Sequence, residues 1–338
     1  MTRYLIRRLA LALLVVVGVV ILTFVIARLV PGDPAASWAG PRASREEIAQ
    51  VREDLGLNLP LPAQIWRYFS GVLQGDWGTS IHTHRPVLSD IMNRIPPTIE
   101  LVVAAIAIGL AFGIPSGLVS ARWAGGLPDG LVRIVAVFAV SMPAFWLALI
   151  LQIVFFQKLH LLPVAGQYDP NLDYTNPLMQ YTRMPVVDSL ITGNWAVFRS
   201  AASHLVLPAL VIAAYPFGVV ARMVRGSELD TLSEDHVKAV RALGFPERAV
   251  FGRFALKPAL VPVISVIALV FAYSLVNTFL VEAIFDWPGL GSYAAAAIGS
   301  LDTPAIIGVT LFVAVVYVLA NLVVDIVQAW VDPRIRLT

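Results

Sequence analysis

The sequence predicts an all-α polytopic membrane protein with six transmembrane helices, and three observations support this fold class. Hydrophobic residues make up 58% of the 338 residues, charged residues only 14%, and the mean hydropathy is +0.78. Long apolar runs recur along the chain, and basic residues concentrate in alternate connecting segments. A soluble chain of this length needs more surface charge than this one carries. The absence of cysteine excludes disulfides and thiolate metal sites.

The first predicted span is the apolar run 9–30, which contains a single charge, Arg28. At about 1.5 Å per residue this run extends about 33 Å, which is enough to cross a bilayer. Arg3, Arg7 and Arg8 precede it, as basic residues do in a signal peptide. The run is, however, longer than a secretory apolar core of roughly 7 to 15 residues, so we expect an uncleaved first helix.

Five further apolar runs predict the remaining spans. They lie at about 98–120, 134–156, 204–221, 259–281 and 304–330. The chain is accordingly divided into an N-terminal helix with an extracytoplasmic segment (1–97), a core of five transmembrane helices (98–333) and a short cytoplasmic tail (334–338). The core includes an extracytoplasmic insertion at about 157–203 and a charged cytoplasmic loop at about 222–258.

The distribution of Lys and Arg orients these spans. Fourteen of the 24 basic residues lie on the same side as the N-terminus, in segments that total about half the length of those on the other side. Cytoplasmic segments of membrane proteins carry the excess of basic residues. Both termini are therefore predicted to be cytoplasmic.

The predicted spans carry few groups that can do chemistry. Glu100 opens the second span and Asp325 lies near the end of the last, while the third to fifth spans have no charged residue in their cores. A carrier driven by protons or ions needs titratable groups at membrane depth. Asp325 is either a proton relay or a carboxylate that serves in packing or lies at the membrane interface. No phosphate-binding G-x-x-x-x-G-K-[ST] motif occurs, so energy for uphill transport has to come from another chain.

Motifs for catalysis or metal binding are equally sparse. His82 and His84 offer a metal site, against the alternative of two solvated loop residues. Ser203 and His204 are interpreted as a helix cap rather than a nucleophile with its base. The sequence thus predicts no enzyme, no metal site and no catalytic residue.

A stripe of small residues runs along the second span. Gly109, Gly113 and Gly117 recur at four-residue spacing, which lets another helix approach closely. The approaching helix belongs either to this chain or to a partner subunit. Four prolines in or near spans are expected to introduce kinks: Pro143, Pro208, Pro216 and Pro262.

The charged loop 222–258 is the segment that carries most information on function. Thr231 and Glu234 fit a capping box, which predicts that a helix starts there. Apolar residues at helical spacing follow, and Gly244 is positioned to end the helix in a left-handed conformation. Pro246 then favours the start of a second short helix. Such a pair of helices either docks a soluble partner or lies on lipid headgroups.

This loop resembles a known family. Residues 233–248 (SEDHVKAVRALGFPER) and 254–262 (FALKPALVP) are similar to the EAA loop of binding-protein-dependent ABC importer permeases. Further stretches resemble the first permease subunit of the dipeptide and oligopeptide importers, in the same order along the chain. They are 7–9 (RRL), 29–35 (LVPGDPA), 54–57 (DLGL), 75–80 (GDWGTS), 85–88 (RPVL), 141–146 (SMPAFW), 161–163 (LLP), 285–291 (FDWPGLG) and 331–336 (VDPRIR).

The resemblance implies a type I ABC importer permease fold in the plasma (inner) membrane, with alternating access as the mechanism. It implies four kinds of partner: a second homologous permease subunit, two ABC ATPase subunits, an extracytoplasmic peptide-binding protein and a di- or oligopeptide substrate. ATP and Mg are used by the ATPases, and this chain binds no cofactor. The alternative substrates are nickel complexes, glutathione or oligosaccharides, which relatives in the same family import. The alternative class of protein is a channel or a sensor.

The resemblance also implies a site, namely a coupling helix at about 232–243 that rests in a cleft of one ATPase. Its implied docking residues are Glu234, Asp235, His236, Lys238, Ala239, Val240, Arg241, Ala242, Leu243, Gly244 and Phe245. Lys238 departs from the family pattern, in which many members have Glu, so a contact of that residue with an ATPase arginine is not expected. The stretch 167–200 is longer than usual for the subfamily, and it is expected to contact the binding protein or cap the pore.

Overall fold

The computed structural model describes residues 2–29, 33–40 and 42–331. Regular structure within these residues is helical, apart from an isolated antiparallel bridge between Thr79 and Pro86. The helices are α1 (Thr2–Leu29), α2 (Pro34–Ala39), α3 (Arg45–Asp54), α4 (Leu61–Leu73), α5 (Val87–Arg122), α6 (Leu127–Ser141), α7 (Ala144–Leu151), α8 (Leu172–Thr175), α9 (Pro185–Thr192), α10 (Trp195–Leu232), α11 (Asp235–Ala242), α12 (Glu247–Ala249), α13 (Leu256–Ile284), α14 (Leu290–Gly299) and α15 (Thr303–Val331). Two π-helical segments follow α7 and α12, at Gln152–Lys158 and Val250–Ala255. The predicted all-α fold is confirmed.

Three of these helices, α5, α10 and α15, are long and apolar enough to cross a membrane. Two bent helix pairs raise the number of candidate spans in the described chain to five, if each pair is counted as one span. The first predicted span falls on α1, of which Leu14–Ile26 is a shorter apolar stretch. Val30 and the predicted tail 334–338 lie outside the described residues. The helices fit a polytopic membrane protein.

The third predicted span, at about 134–156, falls on a bent pair of helices rather than on one straight helix. α6 ends at Ser141, α7 begins at Ala144, and the two are bent by 107°. Pro143 causes the break, because it has no backbone N–H and its ring collides with the preceding turn. Met142 is extended (φ −72°, ψ 130°), as the residue before a proline usually is. The expected kink at Pro143 is confirmed.

The fourth predicted span is part of a much longer helix. α10 has 38 residues, begins nine residues before the predicted start at 204 and extends eleven beyond the predicted end at 221. Its N-cap is Asn194, whose side chain accepts a hydrogen bond from the Val197 amide at 3.2 Å. The predicted cap at Ser203 and His204 was therefore wrong, since both lie inside α10. Pro208 and Pro216 are also inside α10 and do not interrupt it.

The chain forms two compact units. One consists of residues 1–98 and 288–319, and the other of residues 99–287 and 320–338. The first unit has an apolar core that includes Val20, Phe24, Ile307 and Leu311. The larger core of the second unit includes Leu101, Ala148, Leu207, Ala213, Val281, Phe285 and Trp287. The domain division at 97 and 333 remains a prediction.

Candidate functional site

The candidate site is the loop that follows α10, and its first helix starts later than predicted. Thr231 does not cap a new helix, because it lies in the last turn of α10 and its hydroxyl donates to the Ser227 carbonyl at 2.8 Å. The N-cap of α11 is Glu234, whose side chain makes no capping hydrogen bond. The predicted capping box was therefore wrong, and the short helix runs over Asp235–Ala242 rather than 232–243.

The inner face of α11 is fixed by a small apolar cluster. Val237 is fully buried against Val250 and Ala255 of the following π-helical segment. Leu232 and Val240 pack on the edge of this cluster. α11 is thus held by apolar contacts at both ends of the loop, since Leu232 belongs to α10 and Ala255 directly precedes α13.

Gly244 makes the turn between the two short helices. Its φ of +79° lies in the left-handed region, where a residue with a Cβ is strained. Arg241 donates to the Glu247 carboxylate from two nitrogens, at 2.9 and 3.3 Å, and so connects α11 to α12 across the turn. The predicted left-handed glycine and the second helix after Pro246 are both confirmed.

The outer face of the loop is exposed. Leu243 is 76% exposed, Phe245 is 45% exposed, and Ala239 and Ala242 are exposed beside them. Phe245 contacts the ring of Phe254 edge to face, with the ring centroids 5.3 Å apart. These residues form an apolar patch, which we call the outer patch.

Charged residues surround the outer patch. Lys238 lies 3.0 Å from Asp235, and the His236 ring lies 3.0 Å from Glu234. Both pairs are largely exposed, so each contributes little to stability. These side chains stay available for a contact outside the chain.

An ion pair with a buried carboxylate holds the end of α10 that leads into the site, and sequence analysis missed it. Arg225 binds Asp129 with two nitrogens, at 2.7 and 2.9 Å. Asp129 is 1% exposed and also accepts hydrogen bonds from the Ser120 hydroxyl at 2.6 Å and the Gly125 amide at 2.8 Å. The pairing joins residues 96 positions apart in sequence, and no local pattern in the sequence marks it.

The glycine stripe of α5 packs against α10 of the same chain. A Cβ at Gly109 would lie 2.5 Å from Pro216, and one at Gly117 would lie 2.6 Å from the Ala221 carbonyl oxygen. At Gly113 the nearest atoms would be 3.2 Å away. The three glycines therefore allow α5 and α10 to approach more closely than any larger residue permits. The structure places the stripe within the chain rather than on an open face.

The predicted insertion 157–203 is tied to the long helix α5 by one carboxylate and is braced internally by another. Glu100 of α5 accepts a hydrogen bond from the Val186 amide at 2.9 Å, in the first turn of α9. Asp188, which is fully buried, accepts from the Thr182 amide and hydroxyl and from the Arg183 amide. Glu100 thus anchors the insertion in this structure.

The other candidate residues have partners of their own. The His82 amide donates to Asp302 at 3.0 Å, and the His84 ring packs edge to face on Trp38. Among the residues that the structure describes, no group of three His, Asp or Glu is placed to hold a metal ion. The side chain of Asp325 lies outside the described part of the chain.

A cavity of about 280 Å³ opens at the break between α6 and α7. Polar groups from three helices line it, namely Ser141 of α6, Tyr215 of α10, and Tyr273 and Asn277 of α13. The two tyrosine rings are 4.3 Å apart. The substrate path, for which the sequence named no residue, has a candidate segment here.

Known proteins are similar to this chain along almost all of its length. Residues 113–337 match the family described as binding-protein-dependent transport system inner membrane component, and residues 1–102 match the N-terminal region described for the same proteins. The chain is similar to the probable D,D-dipeptide transport system permease protein DdpB of Escherichia coli (strain K12), with 43% identity over 95% of this chain and 94% of that protein. It is similar to the dipeptide transport system permease protein DppB of Alkalihalophilus pseudofirmus, with 38% identity over 99% and 100%. The glutathione transport system permease protein GsiC of Salmonella paratyphi A is 35% identical over 99% of both chains.

Proposed function

This chain belongs to the family of binding-protein-dependent transport system inner membrane components, and from that premise we propose that it carries di- or oligopeptides across the membrane. It is a permease subunit of an ABC importer. Three relatives at 43%, 38% and 37% identity are described as D,D-dipeptide or dipeptide permeases, which supports peptides as the substrate. In this proposal the chain does no chemistry on the peptide and needs no cofactor of its own.

The observation that carries this function is the outer patch on a rigidly held loop. An apolar centre with Leu243 and Phe245, surrounded by charged residues, is typical of a surface that docks another protein. Residues 234–248 carry three acidic and three basic side chains, whereas a helix that lies on anionic lipid needs a basic excess. We therefore assign the outer patch to an ABC ATPase rather than to the lipid surface.

The complete transporter that we propose contains a second homologous permease, two ATPases and an extracytoplasmic peptide-binding protein. Both termini of this chain are cytoplasmic, and the insertion 157–203 faces outside, where the binding protein docks. The ATPases close on ATP with Mg and move α11 in each permease. The apolar cluster and the Arg225–Asp129 pair pass this motion to α10, so that the path at the α6–α7 break alternates between the two sides.

Glutathione is the second candidate substrate, since a glutathione permease is 35% identical over 99% of both chains. Glutathione is itself a peptide, so the fold and the docking loop are compatible with either substrate. ATP hydrolysis by the purified complex separates the two. If binding protein loaded with a dipeptide stimulates ATP hydrolysis more strongly, our proposal is supported. If only binding protein loaded with glutathione stimulates it, glutathione replaces the dipeptide as the substrate.

The test of docking compares two exposed leucines. Leu243→Glu places a charge in the outer patch, and Leu73→Glu places one on α4, where Leu73 is 88% exposed. The tagged full chain is purified with its partners from the native host in mild detergent, and the bound subunits are identified by mass spectrometry. We expect L243E to lose the ATPases and keep the second permease, while L73E keeps both. ATPases retained by L243E at the wild-type amount would overturn the assignment.

A further inference from the structure

A second cavity lies in the unit formed by residues 1–98 and 288–319, and the docking function does not use it. Its volume is about 340 Å³, which is within the usual range for sites that bind small molecules. Three of the stretches that carry the family resemblance line it, through Pro34, through residues 54–57 and through residues 76–79. Segments far apart in the sequence thus converge on one cavity within this unit.

The apolar wall of this cavity is aromatic. It includes Phe24, Trp38, Tyr68 and Trp77. The Tyr68 hydroxyl is buried and has no hydrogen-bond partner among the described residues. Burial raises the pKa of Tyr68, so the phenol stays protonated and is available as a donor. A buried donor without an acceptor is unfavourable, and a ligand oxygen would relieve this.

Charged groups of both signs also line the cavity. Arg67 contributes a guanidinium, and Asp54 and Asp76 contribute carboxylates. In the described chain none of the three takes part in an ion pair, although they share one cavity. The guanidinium can therefore pair with an anionic group of a ligand, and a carboxylate can pair with a cationic group.

Gly56 leaves the space that Arg67 occupies. A Cβ at Gly56 would lie 2.5 Å from the Arg67 Nη1 atom. The φ of Gly56 is +67°, so both the backbone and the available space favour glycine here. The guanidinium therefore lies against the turn after α3, in space that a side chain at position 56 would share.

We propose that this cavity binds a short peptide in its zwitterionic form. The peptide carboxylate pairs with Arg67, the ammonium group with Asp54 or Asp76, and an apolar side chain packs on Trp38 and Trp77. The choice of a peptide over other zwitterions rests on the proposed function. The site belongs to the permease itself and is separate from the site on the binding protein.

The test measures direct binding to the purified complex without the binding protein. Radiolabelled alanyl-phenylalanine is titrated by equilibrium dialysis, with unlabelled peptide and its N-acetylated, amidated form as competitors. We expect saturable binding that the free peptide displaces and the blocked peptide does not. Equal displacement by both peptides, absence of saturable binding, or displacement by phosphatidylethanolamine alone would overturn the proposal.

Two variants locate the binding. Arg67→Gln is expected to weaken binding at least tenfold, and the control Arg45→Gln, on the exposed surface of α3, to change it less than twofold. Tyr68→Phe removes only the hydroxyl, so it is expected to weaken binding while raising the thermal midpoint of the empty protein. A hydroxyl with a purely structural role would instead lower that midpoint. Unchanged affinity in both R67Q and Y68F would place the peptide elsewhere and overturn the proposal.

Uptake into vesicles separates this inference from the proposed function. Peptide uptake that depends on ATP and the binding protein, together with no saturable binding to the permease, overturns only this inference. Saturable binding that R67Q abolishes, in a complex that takes up no peptide, supports the cavity and overturns the proposed function.

Discussion

Buried carboxylates lie near both ends of α10 in sequence or in space, but only the one at the second end binds α10 itself. At the end that begins with Trp195, Glu100 and Asp188 accept hydrogen bonds from backbone amides around α9. At the end that leads into α11, Asp129 pairs with a cation on α10 itself. The first arrangement fixes the conformation of a neighbouring segment, whereas the second fixes the helix. We therefore expect damage at the first end to loosen the insertion and damage at the second to impair coupling.

The largest effect is expected at the ion pair. Asp129→Asn removes the charge that partners Arg225, and we expect a loss of about 2 kcal/mol of stability, because a hydrogen-bonded charge loses its partner. Thermal unfolding of the purified complex measures this. The control Asp235→Asn, at a side chain that is 97% exposed, should leave the midpoint unchanged. In the double variant D129N/R225Q part of the loss should be recovered, and strict additivity would contradict the pairing.

A substitution at Gly244 tests the end of α10 that leads into α11 without removing any side-chain contact. No atom lies within 4 Å of a Cβ built at Gly244, so Gly244→Val acts through φ alone and costs about 1 to 2 kcal/mol. We expect this variant to hydrolyse ATP while uptake falls. Gly244→Asn is the matched control, since asparagine tolerates the left-handed region. If uptake in vesicles is unchanged in G244V, the turn has no role in coupling.

Glu100 tests the other end. Glu100→Ala removes the acceptor for the Val186 amide and is expected to cost about 1 kcal/mol locally. Hydrogen exchange should speed up in residues 182–192 while ATP-coupled uptake changes less than in the Asp129 variant. Glu100→Gln keeps an oxygen acceptor and should show a smaller increase. Faster exchange in α11 instead would contradict the separation of the two ends.

The smallest effect is expected at the exposed pair across the turn. Arg241→Ala should cost less than about 0.5 kcal/mol, because Arg241 and Glu247 are both solvent-accessible. Raising the salt concentration should abolish even this difference in thermal midpoint. A loss as large as that of D129N would mean that the Arg241–Glu247 pair, not the buried one, holds the site.

Patterns within one segment allowed correct predictions from sequence. Gly244 and Pro246 define their own turn, because the left-handed conformation and the helix start depend on the residues themselves. The glycine stripe likewise indicated a close helix contact, although the helix it contacts was not predictable. The family resemblance supplied the identity of the loop, which the physical pattern alone left open.

The incorrect predictions arose because tertiary packing, which the sequence does not show, decides where helices end. Pro143 lies at a helix break and Pro208 does not, although both are prolines in apolar sequence; Pro208 is a buried residue inside α10. Thr231 fits a capping box, but α10 continues through it. Asp129 and Arg225 are unremarkable in sequence and meet only after folding. Local propensity therefore predicted which turns exist, and packing decided where the helices end.

The length of α10 has a mechanical consequence. Its 38 residues extend about 57 Å, almost twice the roughly 30 Å thickness of the hydrocarbon layer, so the helix projects well beyond it. A stiff lever of this length that tilts by about 5° around its midpoint displaces each end by roughly 2.5 Å, by the geometry of the helix rise. That displacement is about half a helical turn at each end, whereas Tyr215 at the α6–α7 break lies close to the midpoint and moves little. If α11 moves as we propose, we expect the opposite end of α10 to move with it, because the helix is continuous from Trp195 to Leu232.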